Sequence, residues 1–254
     1  MAYLEYGVHQ GEGFIVITGE IGAGKTMLAR TLSRKLESQA LVMAQVVSTQ
    51  LEADDIVRMV AAGFGLPHED SKGLLLYKLE QFLLASHKQG KRALLLVDEV
   101  QNLPMKSVEE LRMLSNFQFN DKPLLQSFLL GQPEFRRTLQ SPSLEQLRQR
   151  IIASCHLGPI GSGETEAYIV HRLQTVGWQG DPSFSEDAFA VIHQSTGGIP
   201  RRINLLCDRV LLMGRLDKKH AFTGADVAEV NDELQEELAL APVHAEEPGE
   251  TNAI

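Results

Sequence analysis

Gly13-Phe14-Ile15-Val16-Ile17-Thr18-Gly19-Glu20-Ile21-Gly22-Ala23-Gly24-Lys25-Thr26 decides the fold. Its first half is a short apolar run bounded by glycines, the pattern of a strand buried on both faces. Its second half, Gly19, Glu20, Ile21, Gly22, Ala23, Gly24, Lys25 and Thr26, satisfies the phosphate-loop pattern in full. Glycines let successive backbone N–H groups curl toward phosphate oxygens, and a helix starting near Lys25 adds its positive end. Lys25 is expected to reach the β- and γ-phosphates of ATP, and the Thr26 hydroxyl to ligate Mg2+. A bare glycine-rich turn would not also place a lysine and a hydroxyl at the offsets that phosphate and metal require.

Two further apolar runs end in polar residues. Ala93 to Val97 leads into Asp98-Glu99, and a buried strand ending there exposes both carboxylates at the sheet edge where open α/β sheets hold ligands. Asp98 is the expected magnesium partner, and Glu99 the expected general base toward the attacking water. By itself such a pair can be no more than the acidic start of a helix; the intact phosphate loop upstream is what makes it chemical. Ser127 to Leu130 leads into Gly131-Gln132. Gln132 reads as a sensor of the γ-phosphate or the lytic water, with a hydrogen-bonding turn before Pro133 as the competing reading. Gln101 and Asn102 are polar in the same region.

Outward from these runs, helical patterns cover Lys25 to Leu36, Ala53 to Ala62, Leu74 to Ser86, Lys106 to Asn116 and Pro133 to Leu139, with further strands at Leu41 to Val47 and Ile152 to Leu157. Apolar strands separated by amphipathic helices predict a mostly parallel sheet with helices on both faces. After Gly158-Pro159-Ile160-Gly161-Ser162-Gly163 no strand-like run follows. Helix starts at Thr165, Ser185, Pro200 and Gly224 predict a small all-helical unit. The expected division is a nucleotide-binding domain over 1–160, a helical domain over 161–238 and a disordered acidic tail over 239–254.

The chain's formal charge of −9 is uneven: Glu229 to Ile254 holds eight acids and no Lys or Arg, and residues 1–228 hold 25 acids against 24 bases. The body is close to neutral, so total charge neither supports nor excludes a basic patch. The two cysteines, Cys155 and Cys207, fall in apolar runs and suggest neither a disulfide framework nor a zinc site. No window reads as a membrane span or a signal peptide, which points to a cytoplasmic protein without direct membrane insertion.

These motifs, with Gly197-Gly198-Ile199-Pro200-Arg201, resemble the AAA+ superfamily. Four blocks, Asp98 to Leu103, Glu110 to Phe117, Leu130 to Phe135 and Leu147 to Arg150, narrow the resemblance to the general-secretion-pathway protein A (ExeA-like) ATPases. Gln10 to Val16 and Gly197 to Arg209 are similar to the ATPase found with exosortase and PEP-CTERM exopolysaccharide systems. The similarity runs over residues 5–235. It implies an α/β P-loop fold with five parallel strands in the order 5-1-4-3-2 and a helical lid. It implies Mg-dependent ATP hydrolysis that drives or regulates export or protein sorting, with Arg201 reaching the nucleotide from the lid and Arg150, rather than Arg148, serving a neighbouring subunit as an arginine finger. Surface ion pairing is the alternative for Arg148 and Arg150. Implied partners are further copies of the chain and a protein of an envelope polysaccharide or secretion assembly.

Two departures stand out. Met27 occupies a position where relatives usually carry threonine, and the chain begins close to the first strand, where relatives have further residues that help to seat adenine. That implies weaker base selectivity or a native start upstream. Larger relatives add a transmembrane segment and a peptidoglycan-binding domain, so membrane association is expected here only through a partner, at the periphery of the inner membrane. A DNA-handling ATPase similar to transposition regulators or replication initiators is the alternative, with Arg201, Arg202, Arg209, Arg136 and Arg137 as candidate contacts. Surface arginines on helices are usually only solvated, and the reading therefore goes against nucleic acid as a partner. A switch that binds ATP without turnover is the third reading, disfavoured by Glu99.

Overall fold

The computed structural model describes residues 2–34, 40–47, 52–67 and 71–240, which fall into two compact units, Met1–Gly158 and Pro159–Ile254. In chain order the first contains α1 (Ala2–Gln10), β1 (Phe14–Gly19), α2 (Lys25–Arg34), β2 (Leu41–Val47), α3 (Ala53–Gly63), α4 (Lys72–Lys88) and β3 (Arg92–Asp98). A 3-10 turn (Val100–Asn102) then leads to α5 (Met105–Leu114), the short strands β4 (Gln118–Phe119) and β5 (Lys122–Pro123), β6 (Leu125–Gly131), α6 (Glu134–Leu139), α7 (Glu145–Arg148) and β7 (Ile151–Leu157).

Five strands form one parallel sheet in the order β2-β3-β6-β1-β7. Counting only these five, that is the expected 5-1-4-3-2. Burial follows the places. β1 and β6 are buried at every residue and β3 at all but Arg92, whereas β2 and β7, at the edges, are only partly buried.

Because successive side chains point to opposite faces, β1 divides its own residues between two cores. Phe14 and Val16 join Leu95, Val97 and Leu129 beneath α3 to α6, with Ile56, Leu79, Leu111 and Phe135. Ile15 and Ile17 join Leu94, Leu96, Phe128 and Leu130 beneath α1 and α2, with Leu4, Val8, Ala29 and Leu32. Each such side chain contributes about 1.5–3 kcal/mol when fully buried.

Among the described residues of this unit, α1, α7 and the hairpin of β4 and β5 are additional to the helices and strands read from the sequence. The hairpin of β4 and β5 turns at Asn120 and Asp121, both in left-handed backbone. Helix α1 packs under the sheet and is held by remote polar groups: the Gln126 amide donates to the Gly7 and Glu12 carbonyls at 2.9 and 3.1 Å, and Arg92 donates to the Val8 carbonyl at 2.6 Å.

The second unit contains α8 (Ser162–Thr175), β8 (Ser183–Phe184), α9 (Glu186–Thr196), α10 (Pro200–Asp217), β9 (Ala221–Phe222) and α11 (Gly224–Leu240). Its helices enclose Ile169, Ile192, Ile203, Leu206, Val210 and Val227. Among the described residues, the one addition to the all-helical expectation is the two-residue parallel pairing of β8 with β9. Cys207 is buried here, and burial pushes its thiol up to about 12, with the neighbouring Asp208 charge adding to the effect. Helix α11 runs through Leu240, two residues into the expected tail; residues 241–254 lie outside the described residues. No helix among the described residues is long and apolar enough to cross a membrane.

Candidate functional site

All five parallel strands end at the same edge of the sheet, and there β1, β3 and β6 deliver Gly19, Asp98 and Gly131 side by side. The loop after β1 turns through a hydrogen bond from the Ala23 N–H to the Glu20 carbonyl at 3.1 Å. Gly24 follows with φ 94°, a left-handed conformation that an L side chain rarely adopts. Helix α2 starts immediately, so its unpaired N–H groups face the loop's concavity, the geometry that backbone anion sites share.

Lys25 is 6% exposed, and its ammonium donates to the Gly19 and Glu20 carbonyls at 2.9 and 3.1 Å, which aims it back across the loop. Thr26 Oγ1 donates to Asp98 Oδ2 at 2.7 Å. One hydroxyl and one carboxylate, both hard oxygen donors, form the kind of partial ligand set by which a hydrated magnesium ion is held beside phosphates. The residues present therefore fit Mg2+ with a nucleotide. Of the remaining loop residues, Glu20 and Ile21 are exposed, Gly22 and Ala23 partly so, and Met27 projects outward at 66% exposure.

Glu99 follows Asp98 in left-handed backbone, φ 53° and ψ 40°. Its N–H donates to Asp98 Oδ1 at 3.0 Å. Its Oε2 accepts from Gln101 Nε2 at 2.6 Å and from Gln132 Nε2 at 3.3 Å. Lys25, Thr26, Asp98, Glu99 and Gln132 are thus gathered on adjacent strand ends, and Gln101 completes the set. Sequence reasoning noticed Gln101 only as one more polar residue, because its bond to the Gln132 N–H depends on β3 and β6 being neighbours.

Arg150 lies at the other edge. Its carbonyl accepts from the Phe14 N–H at 2.9 Å, and its guanidinium donates to Ser115 Oγ at 2.6 Å. Between Phe14 and the phosphate loop runs all of β1, six residues, which at 3.3 Å per residue is about 20 Å. Arg150 therefore cannot serve the loop of its own chain. Arg148 is committed differently, donating to the Leu139 and Ser141 carbonyls at 2.5 and 2.6 Å behind α6. Arg201 is exposed in the first turn of α10, in the second unit.

Residues 8–139 match the family described as "AAA domain". The chain is 39% identical over 230 residues to General secretion pathway protein A of Aeromonas hydrophila, an alignment that covers 90% of this chain and 42% of that protein. The chain thus spans under half of that relative's length. Among solved structures, the Aeropyrum pernix ORC2 protein (ADPNP-ADP complexes) superposes with a TM-score of 0.69 at 15% identity, over 96% of this chain and 69% of that one. Drosophila ORC bound to DNA gives 0.66 at 16% identity, over 92% and 58%. At these identities the likeness establishes the fold. It also corrects the reading against nucleic acid, since a chain with this same architecture was solved on DNA. Solvated arginines and a negative total charge are no ground for excluding such a partner.

Proposed function

Since this chain belongs to the AAA domain family, we propose that it binds Mg-ATP at the C-terminal edge of its sheet and hydrolyses it. Nucleotide binding follows from the family; the residue roles are our reading. The loop N–H groups from Gly19 to Thr26 and the Lys25 ammonium bind phosphate oxygens. Thr26 and Asp98 hold the magnesium ion, which supplies neutralising charge to those oxygens. Glu99 takes a proton from the attacking water, and Gln132 orients that water. Arg201 contributes from the chain's own helical domain, taken as 161–238 beside a nucleotide-binding domain of 1–160, and Arg150 serves a neighbouring copy.

The observation that carries this reading is the 2.7 Å bond from Thr26 to Asp98 with Glu99 next in the chain, which joins a phosphate-binding element to a potential base. Calorimetric titration with ATP tests it. Lys25→Ala is expected to weaken binding at least about 10- to 100-fold, the worth of a charged hydrogen-bonding partner. Wild-type affinity in that variant would reject the site.

The work driven is that of a secretion or export system, supported by the identity to General secretion pathway protein A. We assign it more finely to exopolysaccharide export beside an exosortase system, on the similarity of Gln10 to Val16 and Gly197 to Arg209. On this reading the protein works at the inner face of the cell membrane through a partner. Co-purification with Glu99→Gln protein in ATP should recover export components; recovery of none would remove the assignment.

A second reading, action on nucleic acid, is favoured by the likeness to ORC bound to DNA and by Arg136 and Arg137, adjacent and exposed on α6. Arg209, by contrast, is engaged with Glu237 at 2.7 Å. Binding of duplex or single-stranded DNA that weakens steeply with salt would support this reading, and no binding at low salt would end it.

A further inference from the structure

Left-handed backbone is sparsely populated for a residue with a side chain and persists where the surroundings hold it. At Glu99 three elements do so. The Asn102 N–H donates to the Glu99 carbonyl at 3.0 Å, closing the 3-10 turn Val100–Asn102. That turn brings Gln101 back over Glu99, where Nε2 donates to Oε2 at 2.6 Å. The other end of the same amide, Oε1, accepts from the Gln132 backbone N–H at 2.9 Å. A backbone N–H can only donate, so this bond fixes which end of the Gln101 amide is oxygen and turns its NH2 group toward Glu99. Gly131 leaves the room: a Cβ there would stand 3.3 Å from Gln101 Oε1 and 2.9 Å from Val100 Cγ1.

We propose that Gln101 is a positioning residue for hydrolysis, a clamp that ties the Glu99 carboxylate to the end of β6 and fixes its rotation for proton removal from water. The proposal rests on the reading of Glu99 as the base. Gln101 and Gln132 both donate to Oε2, leaving Oε1 to take the proton. Gln101 acts through Glu99.

The test uses the full chain and compares ATP affinity, single-turnover rate and its pH profile for wild type, Gln101→Ala, Gln101→Glu, Glu99→Gln and the Gln101→Ala/Glu99→Gln double variant. Gln101→Ala is expected to keep ATP affinity and to turn over about 10- to 100-fold more slowly, the cost of a base misplaced by an ångström or so. Gln101→Glu retains the shape but sets a second carboxylate against Glu99, which raises the pKa of the pair and moves the acid limb of the rate profile to higher pH. The double variant should be no slower than Glu99→Gln, since residues that act through one group are not additive. Wild-type turnover by Gln101→Ala, with Glu99→Gln impaired, overturns the clamp while leaving the base in place. Unimpaired Glu99→Gln overturns the base reading itself. Loss of ATP affinity in Gln101→Ala together with an unmoved pH profile in Gln101→Glu would make Gln101 a structural residue and overturn the proposal.

Discussion

Asp98 receives hydrogen bonds from Thr26 and from the Glu99 N–H, so its carboxylate is fixed by both neighbours that the chemistry needs. Removing its charge while keeping its shape should weaken hold on the metal more than hold on the nucleotide. Asp98→Asn is expected to raise the Mg2+ concentration for half-maximal turnover by about tenfold or more, the loss of one charged ligand contact. A magnesium titration of turnover checks this, and an unchanged midpoint would remove Asp98 from the metal site. Lys25, Thr26 and Asp98 were legible in the sequence because each must sit at a fixed offset from a glycine turn or a strand end. Gln101 was not, because its bond to the Gln132 N–H joins residues that meet only through the pairing of β3 with β6, and its bond to Glu99 depends on the 3-10 turn that folds it back.

Helices differ in how far the sequence announces them. α2 follows directly from the phosphate loop, and α10 opens on Pro200 in its first turn, a residue whose fixed φ suits a helix start. α1 has nine residues, of whose apolar side chains Leu4 and Val8 are buried, and part of what holds it is Gln126, more than a hundred positions away. Gln126→Leu would leave the Gly7 and Glu12 carbonyls without their donor, at a cost of roughly 1–3 kcal/mol. A denaturant titration checks this; an unshifted midpoint would show that the Gln126 bonds do not hold α1.

Helix α11 offers a pH test. Asp226 accepts from Lys219 and from the Thr223 N–H, in that order of effect, and both hold its carboxyl below the ordinary value of 3.8. A carboxyl held low in the folded state stabilises it above the unfolded value and ceases to do so as pH falls through the folded one. Asp226→Asn should therefore lower the thermal midpoint at pH 7, with the gap to wild type closing below about pH 4. A gap that does not narrow as pH falls below 3.8 would mean that shape, rather than charge, sets the cap.

At the scale of the whole molecule, the apolar runs marked the strands but not their order; the sheet order was legible through the resemblance to the AAA+ ATPases, which implied 5-1-4-3-2. Partner chemistry was not, because total charge reports the acids clustered from Glu229 onward and says little of the surface elsewhere. The position of Arg150, about 20 Å from its own phosphate loop along β1, makes any catalytic role intermolecular. On that reading ATP turnover per subunit rises with protein concentration, and Arg150→Ala retains nucleotide binding. Mixing Arg150→Ala with Glu99→Gln should restore turnover, since the second protein donates an intact arginine to an intact base. A finger supplied in this way is worth about 10³- to 10⁵-fold in rate. Concentration-independent turnover by a monomer, undiminished in Arg150→Ala, would refute the intermolecular role.

The central claim, that the gathered residues form a hydrolytic site with Glu99 as its base, is tested most directly by single-turnover hydrolysis with Glu99→Gln at saturating Mg-ATP. Retained ATP affinity with a rate reduced by about 10²-fold or more is the predicted result. Turnover at the wild-type rate would contradict the account.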